Sequence, residues 1–226
     1  MTAGTRFVAS YSGGKDSVLA IHRAMARGME LEALIITKNE DRGRSWFHGL
    51  PDDVLDRIER AVGVPVVRVV TDGDHYAQRF EEALAAFARQ GVQACVFGDI
   101  DLEGHREWGE ARCAAAGLKA VYPLWGESRR ELVFEGIDAG YASVVTVVDP
   151  SRVDASLVGR TLSPSVVEAI EACGADACGE NGEYHTFTHA GPLFSGSLGV
   201  KFGTAIVVGS SVVVPILTGK GDHGIR

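Results

Sequence analysis

Six consecutive residues, Ser12-Gly13-Gly14-Lys15-Asp16-Ser17, carry the sharpest chemical signal in the chain, and they stand where the strand-like run RFVASY hands over to a helix-like segment. A glycine pair at a strand end lets the backbone turn tightly and aim consecutive N–H groups at an anion, while the helix N-terminus adds partial positive charge. Phosphate is the natural guest. Lys15 would add a mobile cation, Ser12 and Ser17 hydroxyl donors, and Asp16 a hard oxygen ligand for Mg²⁺ beside the phosphates of a nucleotide. The bland alternative is an ordinary glycine turn with Asp16 capping the helix. The run is not a Walker A loop, because Asp16 follows the lysine and Ala9 stands where the earlier glycine belongs, nor does it read G-x-G-x-x-G.

A second cluster lies far along the chain, in CGENGEYHT, where Glu180, Glu183, Tyr184 and His185 crowd into a glycine-rich stretch. Ionisable groups packed on flexible backbone are costly unless they meet a ligand, so the stretch reads as one wall of a site, against the plainer reading of a solvated acidic loop. Cys173, Cys178, His185 and His189 also form a C-x4-C-x6-H-x3-H array that could close a zinc site. Finger-like sites separate the cysteine and histidine pairs by ~12 residues or more, so a loop thiol and a site histidine are the favoured reading.

These groups need a scaffold. RFVASY, LEALIIT, PVVRVV, QACVFGD and KAVYP alternate with amphipathic or alanine-rich segments, which is βαβ grammar. Strands apolar on both faces belong to a doubly wound parallel sheet covered by helices, a Rossmann-like α/β fold. A helix is predicted from His75 to Gln90, with Tyr76, Phe80, Leu84 and Phe87 on one stripe, Asp74 as N-cap and Gly91 after its end. Another is predicted from Leu102 to Ala116, turning Trp108 and Ala111 to the core and stopping at Gly117. Lys38 to Pro51 breaks periodicity and reads as a long functional loop. Beyond Trp125 the grammar shifts to a smaller α+β lobe. The expected division is 1–126 for nucleotide binding and 127–226 for the substrate side, with a hairpin turning at Gly209 to Ser211 and the last ~8 residues disordered.

Composition narrows the partners. The 226 residues are 46% hydrophobic and 23% charged, enough for a core without disulfide or metal staples. With 22 basic and 30 acidic residues the net charge of −8 would repel a nucleic-acid backbone, so that class of partner is disfavoured. No apolar run is long enough to cross a bilayer and the N-terminus lacks a secretory signal, so the cytoplasm is the expected compartment and no membrane contact is expected. The four cysteines then read as reduced thiols.

S-G-G-x-D-S after the first strand resembles the PP-loop of the ATP pyrophosphatases. FGDID (Phe97 to Asp101), YPLWG (Tyr122 to Gly126), CGENGEYHTF (Cys178 to Phe187) and GPLF (Gly191 to Phe194) further resemble the diphthine:ammonia ligase family, over residues ~6–194. The resemblance implies an adenine nucleotide alpha hydrolase-like fold and an AMP-forming amide ligase using ATP, Mg²⁺, ammonia and a carboxylate acceptor. Ser12, Gly13, Gly14, Lys15, Asp16 and Ser17 would bind pyrophosphate, Ile35, Ile36 and Thr37 would offer backbone to adenine, and Gly98 and Asp99 would face the ribose or α phosphate. Lys15, Asp16, Glu180, Glu183 and His185 would carry the chemistry, with Asp16 at the metal. SWFHGLP differs from the aromatic, His and Thr-Pro-Asn run expected of the family. The acceptor therefore stays open between a modified histidine of elongation factor 2 and a small molecule, and so does a homodimer. A nucleotide-binding module without turnover and a PP-loop enzyme acting on tRNA are the competing readings.

Overall fold

A computed structural model describes residues 3–41, 43–45 and 48–219, and the chain divides into two compact units, Met1–Glu127 and Ser128–Arg226. In the first unit the elements run β1 (Arg6–Ser10), α1 (Lys15–Ala26), β2 (Glu30–Asn39), β3 (Arg44–Ser45), α2 (Asp52–Val62), β4 (Val66–Thr71), α3 (Tyr76–Ala88), β5 (Ala94–Val96), α4 (Glu103–Ala116) and β6 (Lys119–Val121). Strands β4, β2, β1, β5 and β6 lie side by side and pair in parallel. β3 is antiparallel to β2 at Lys38↔Ser45 and Asn39↔Arg44. Because β4 occupies one edge of β2 as far as Asn39↔Thr71, β3 takes the edge that β1 leaves when it ends at Ser10. The stretch expected to be a loop from Lys38 therefore begins as ladder, since both edges of β2 still find backbone partners there; residues 42, 46 and 47 lie outside the described residues.

The sheet is covered on both faces. Val8, Ala33, Ile35 and Val69 share a buried cluster with Phe80 and Leu84 of α3 and Cys113 of α4. The alternate residues Phe7, Ala9, Leu34 and Ile36 are buried on the other face, where α1 contributes Val18 and Ile21 and α2 contributes Val54, Leu55 and Ile58. The doubly wound architecture read from the apolar runs is the one that forms. Two local details differ. The N-cap of α3 is His75 and not Asp74, no side chain caps the helix, and Asp72 Oδ1 accepts from His75 N at 2.7 Å in the turn before it. In α4 the buried stripe passes through Gly109 and Cys113 and leaves Ala111 exposed, because Ala111 lies about 200° around the helix from Gly109.

The second unit comprises α5 (Arg129–Asp138), β7 (Ala142–Val148), a short 3₁₀ turn, α6 (Pro164–Ala172), β8 (Tyr184–Ala190), β9 (Lys201–Phe202), β10 (Ile206–Val208), β11 (Ser211–Val213) and β12 (Ile216–Leu217). Four strands form an antiparallel sheet in the order β10-β11-β7-β8, and β12 pairs with β9. The β10–β11 hairpin turns at Gly209 and Ser210, with Val207 opposite Val212. Ser163 Oγ caps α6 by accepting from Val166 N, with Pro164 at the first helical position. Tyr184 and His185, expected in the glycine-rich loop, belong to β8. Of the tail expected to be disordered, residues 220–226 lie outside the described residues. Among the described residues no helix is long and apolar enough to cross a membrane.

Gly109 is where α4 comes closest to the sheet. A Cβ there would fall on the Tyr122 hydroxyl and lie 3.3 Å from the Phe97 ring. Gly109→Ala should thus lose about 1–2 kcal/mol in urea unfolding, overpacking of about 1–3 kcal/mol outweighing a helix-propensity gain of about 1 kcal/mol. Adding Tyr122→Phe, which removes the obstructing oxygen, should recover part of the loss.

Candidate functional site

The strand order changes direction between β1 and β5, since β2 and β4 extend the sheet one way from β1 while β5 and β6 extend it the other. Ligands of open α/β sheets bind outside the carboxyl ends of the strands at such a point. The two connections that meet there are the Ser12–Ser17 run after β1 and Phe97–Ile100 after β5. They are pressed together: a Cβ on Gly98 would sit 2.7 Å from Ser17 N and 2.9 Å from Asp16 C. Gly98 is thereby committed to packing against the first turn of α1.

The loop after β1 is shaped by its own serines. Gly14 N donates to Ser12 Oγ (3.2 Å), Ser12 Oγ to Ser17 Oγ (3.2 Å) and Ser17 Oγ back to Gly14 O (2.9 Å), which closes a ring. Gly13, at φ 88°, supplies the left-handed turn that a side chain would resist. Lys15 Nζ lies 2.7 Å from Asp16 Oδ2. Lys15, Asp16 and Ser17 form the first turn of α1, so the loop proper is only Tyr11 to Gly14, and the Ser17 hydroxyl serves the loop's shape.

Beside this loop stands Asp99, whose side chain is 26% exposed and whose Oδ1 lies 3.0 Å from His105 Nδ1. Burial raises its pKa, the His105 contact opposes the rise, and the negative charge of Asp16 adds to it. Tyr76, on the first turn of α3, also feels the charge of Asp99 and shares a 3.0 Å hydrogen bond with Thr37 Oγ1. Rings tie these groups into the core: Phe80 lies 5.4 Å from Trp108, and Phe97 stacks 5.2 Å from Tyr122.

Ile35, Ile36 and Thr37 lie inside β2, two residues or more short of its end at Asn39. Ile35 O accepts from Tyr11 N on the β1 side, while Leu34 N donates to Pro65 O and Glu40 N to Thr71 O on the β4 side. Alternation then turns the backbone of Ile36 toward β4 and that of Thr37 toward the β1 side, just beyond Tyr11.

The second unit holds the other sequence-predicted residues. Glu183 is 1% exposed, and its carboxylate accepts from Arg152 Nη2 (2.7 Å), Asn181 N (3.0 Å), Asn181 Nδ2 (3.1 Å) and Asp176 N (3.3 Å). Burial alone would raise its pKa, but the hydrogen bonds and the Arg152 charge outweigh it and hold it below the ordinary value. A carboxylate so saturated staples its own loop. Asp176 does the same from the other end, accepting from Cys178 N (3.1 Å), Glu180 N (3.1 Å) and Arg129 Nη1 (2.6 Å). Glu180 stands half-buried on the loop so held, and His185 is exposed on β8. Cys173 is exposed, Cys178 is buried with its Sγ on Arg129 O (3.0 Å), and His189 packs on Phe202. The described residues contain no group of three or more metal-ligating side chains, zinc array included.

Sequence reasoning missed Tyr76, His105, Asp176, Arg129 and Arg152. His105 could have been found, since the six residues from Asp99 span only a strand end and the start of a helix. The arginines offered no signal, because their partners lie 31 and 47 residues away.

This parallel sheet covered by helices, with a loop-to-helix turn at its switch point, defines an α/β protein of the Rossmann-like type. The chain belongs to the diphthamide synthase family, whose N-terminal domain matches residues 5–120 and whose C-terminal domain matches residues 128–209. Among curated relatives, the diphthine–ammonia ligase of Rattus norvegicus is 24% identical over 93% of this chain and 88% of its own length. That of Homo sapiens is 23% identical with the same coverage, and that of Danio rerio is 24% identical over 93% of this chain and 92% of its own. A solved structure, described as a predicted subunit of tRNA methyltransferase from Methanocaldococcus jannaschii, aligns with a TM-score of 0.44 at 13% identity, covering 85% of this chain and 99% of that one; the likeness is too slight to bear on function.

The pressed contact at Gly98 predicts that Gly98→Ala displaces the first turn of α1. Stability should fall by about 1–3 kcal/mol, with amide shifts in Gly13, Gly14 and Ser17 observable by NMR. The Glu183 staple gives a pH dependence. Its folded-state pKa lies below the ordinary 4.5, so the stabilisation is complete above that value and is lost as pH falls through the depressed one. The Asp176 and Asn181 amide resonances should move to loop-like positions only as the pH falls below 4.5, and Glu183→Gln should show no such titration.

Proposed function

We propose that the chain is an ATP-dependent amide ligase of the diphthine–ammonia ligase type. A carboxylate oxygen of the acceptor attacks the α phosphorus, the bond to the β phosphate breaks and pyrophosphate leaves. The nitrogen of ammonia then attacks the acyl carbon, loses a proton and displaces AMP. The observation that carries this reading is the hydroxyl-locked loop Ser12–Ser17 at the switch point of the sheet, in a chain of this family.

The loop amides and the start of α1 would hold the β and γ phosphates, with Lys15 neutralising charge on the departing pyrophosphate. Thr37 is the one residue of the expected trio whose backbone faces the β1 side beyond Tyr11, which supports it as the adenine contact. The donor set fits Mg²⁺: Asp16 lies near enough to Asp99 to raise its pKa, and two carboxylates beside phosphates suit a cation that keeps few protein ligands. Bound there, Mg²⁺ would draw charge from the phosphate oxygens. Glu180 and His185 remain the candidates for binding a cationic group of the acceptor or deprotonating ammonium, and Glu183 shapes the loop that carries Glu180. The acceptor is a modified histidine of an elongation factor or a small carboxylate.

The purified protein, given ATP, Mg²⁺, ¹⁵N-ammonium and a carboxylate-containing extract, should release AMP and pyrophosphate and yield a ¹⁵N-labelled amide. ADP and orthophosphate as products would refute the reading. Lys15→Ala should lower the rate by about 10²-fold or more, with the melting temperature nearly unchanged.

A further inference from the structure

The connection between β2 and α2 lies against the phosphate loop. Its turn is closed by Ser45: Leu50 N donates to Ser45 Oγ at 2.9 Å, Ser45 N to Leu50 O at 3.2 Å, and Gly49 N to Ser45 O at 3.2 Å. Arg44 Nη1 reaches Gly49 O at 3.3 Å, and both Ser45 and Leu50 are buried. These bonds bracket His48 on either side. A Cβ on Gly14 would lie 3.2 Å from His48 Nε2 and 3.4 Å from its Cε1.

Gly14 has φ −78° and ψ 165°, a conformation open to any residue. Its backbone therefore gives no reason for glycine, whereas the imidazole standing over it does. A histidine held against an anion-binding loop has a ring nitrogen that donates to phosphate oxygen, as neutral imidazole or as imidazolium.

We propose that His48 is a phosphate ligand of the nucleotide site, its Nε2–H donating to the β or γ phosphate so that the β2–α2 connection supplies part of the pyrophosphate pocket. The proposal rests on the reading that Ser12–Ser17 bind ATP. It gives Ser45 a positioning role, since Ser45 fastens the turn that carries His48.

The test separates phosphate contact from packing by comparing ligands with and without the terminal phosphates. Mg·ATP, inorganic pyrophosphate with Mg²⁺, and AMP are titrated calorimetrically into wild type, His48→Ala and His48→Gln. His48→Ala should weaken ATP and pyrophosphate about tenfold or more while leaving AMP unchanged. His48→Gln, whose amide nitrogen reaches a similar position, should recover part of the loss. Equal weakening of ATP and AMP would make His48 a packing residue and overturn the proposal, as would unchanged binding of all three. If wild type binds neither ATP nor AMP, the nucleotide reading itself fails and takes the proposal with it, a result distinct from the other two.

Discussion

The end of β5 runs so close to the first turn of α1 that a single methyl group at position 98 would meet the backbone of Ser17. The rest of the first unit depends on that approach. It fixes where α1 begins relative to the carboxyl edge of the sheet, and so where the helix's unpaired N–H groups point. It also brings Asp99 beside Asp16. Two carboxylates in one neighbourhood repel each other, and the structure tolerates this because His105 and the partial charge of the helix end offset the repulsion.

The second unit shows carboxylates in the opposite role. Asp176 and Glu183 are spent on backbone amides and arginines, and each accepted hydrogen bond converts a flexible glycine-rich stretch into a defined loop. Removing one partner from such an arrangement costs more than the arrangement contributes, because the remaining charge is left buried and unpaired. The acidity that drew attention to this stretch is therefore mostly structural. Glu180 is what the structure displays.

Much of this was legible in the sequence. RFVASY and its successors announced the sheet because strands buried on both faces cannot alternate, and SGGKDS at the first crossover announced the tight turn and helix start that form there. What could not be read depends on distance in space. Composition marks Glu183 as one more loop acid, and only the reach of Arg152 and two backbone amides shows that it is buried and hydrogen-bonded. Ala111 looks like core on a stripe centred on Trp108, but the glycine beside it, with Phe97 and Tyr122 packed against it, rotates the buried stripe. Ile35 and Ile36 look available until the alternation of ladder bonds commits one to Tyr11 and the other to the β4 side.

The loop from Asp176 to Glu183 behaves as a cassette. Its two ends are clamped by side chains outside its interior, Arg129 and Arg152, and by the carboxylates at its own borders, while the residues between contribute chiefly backbone amides to the clamp. The side chain at position 180, which is not part of that clamp, can then change during evolution with little effect on the path of the chain. A family that keeps the clamp and varies the display can carry one scaffold from acceptor to acceptor, and the same economy is open to a designer who grafts a new sequence between the two fixed acids.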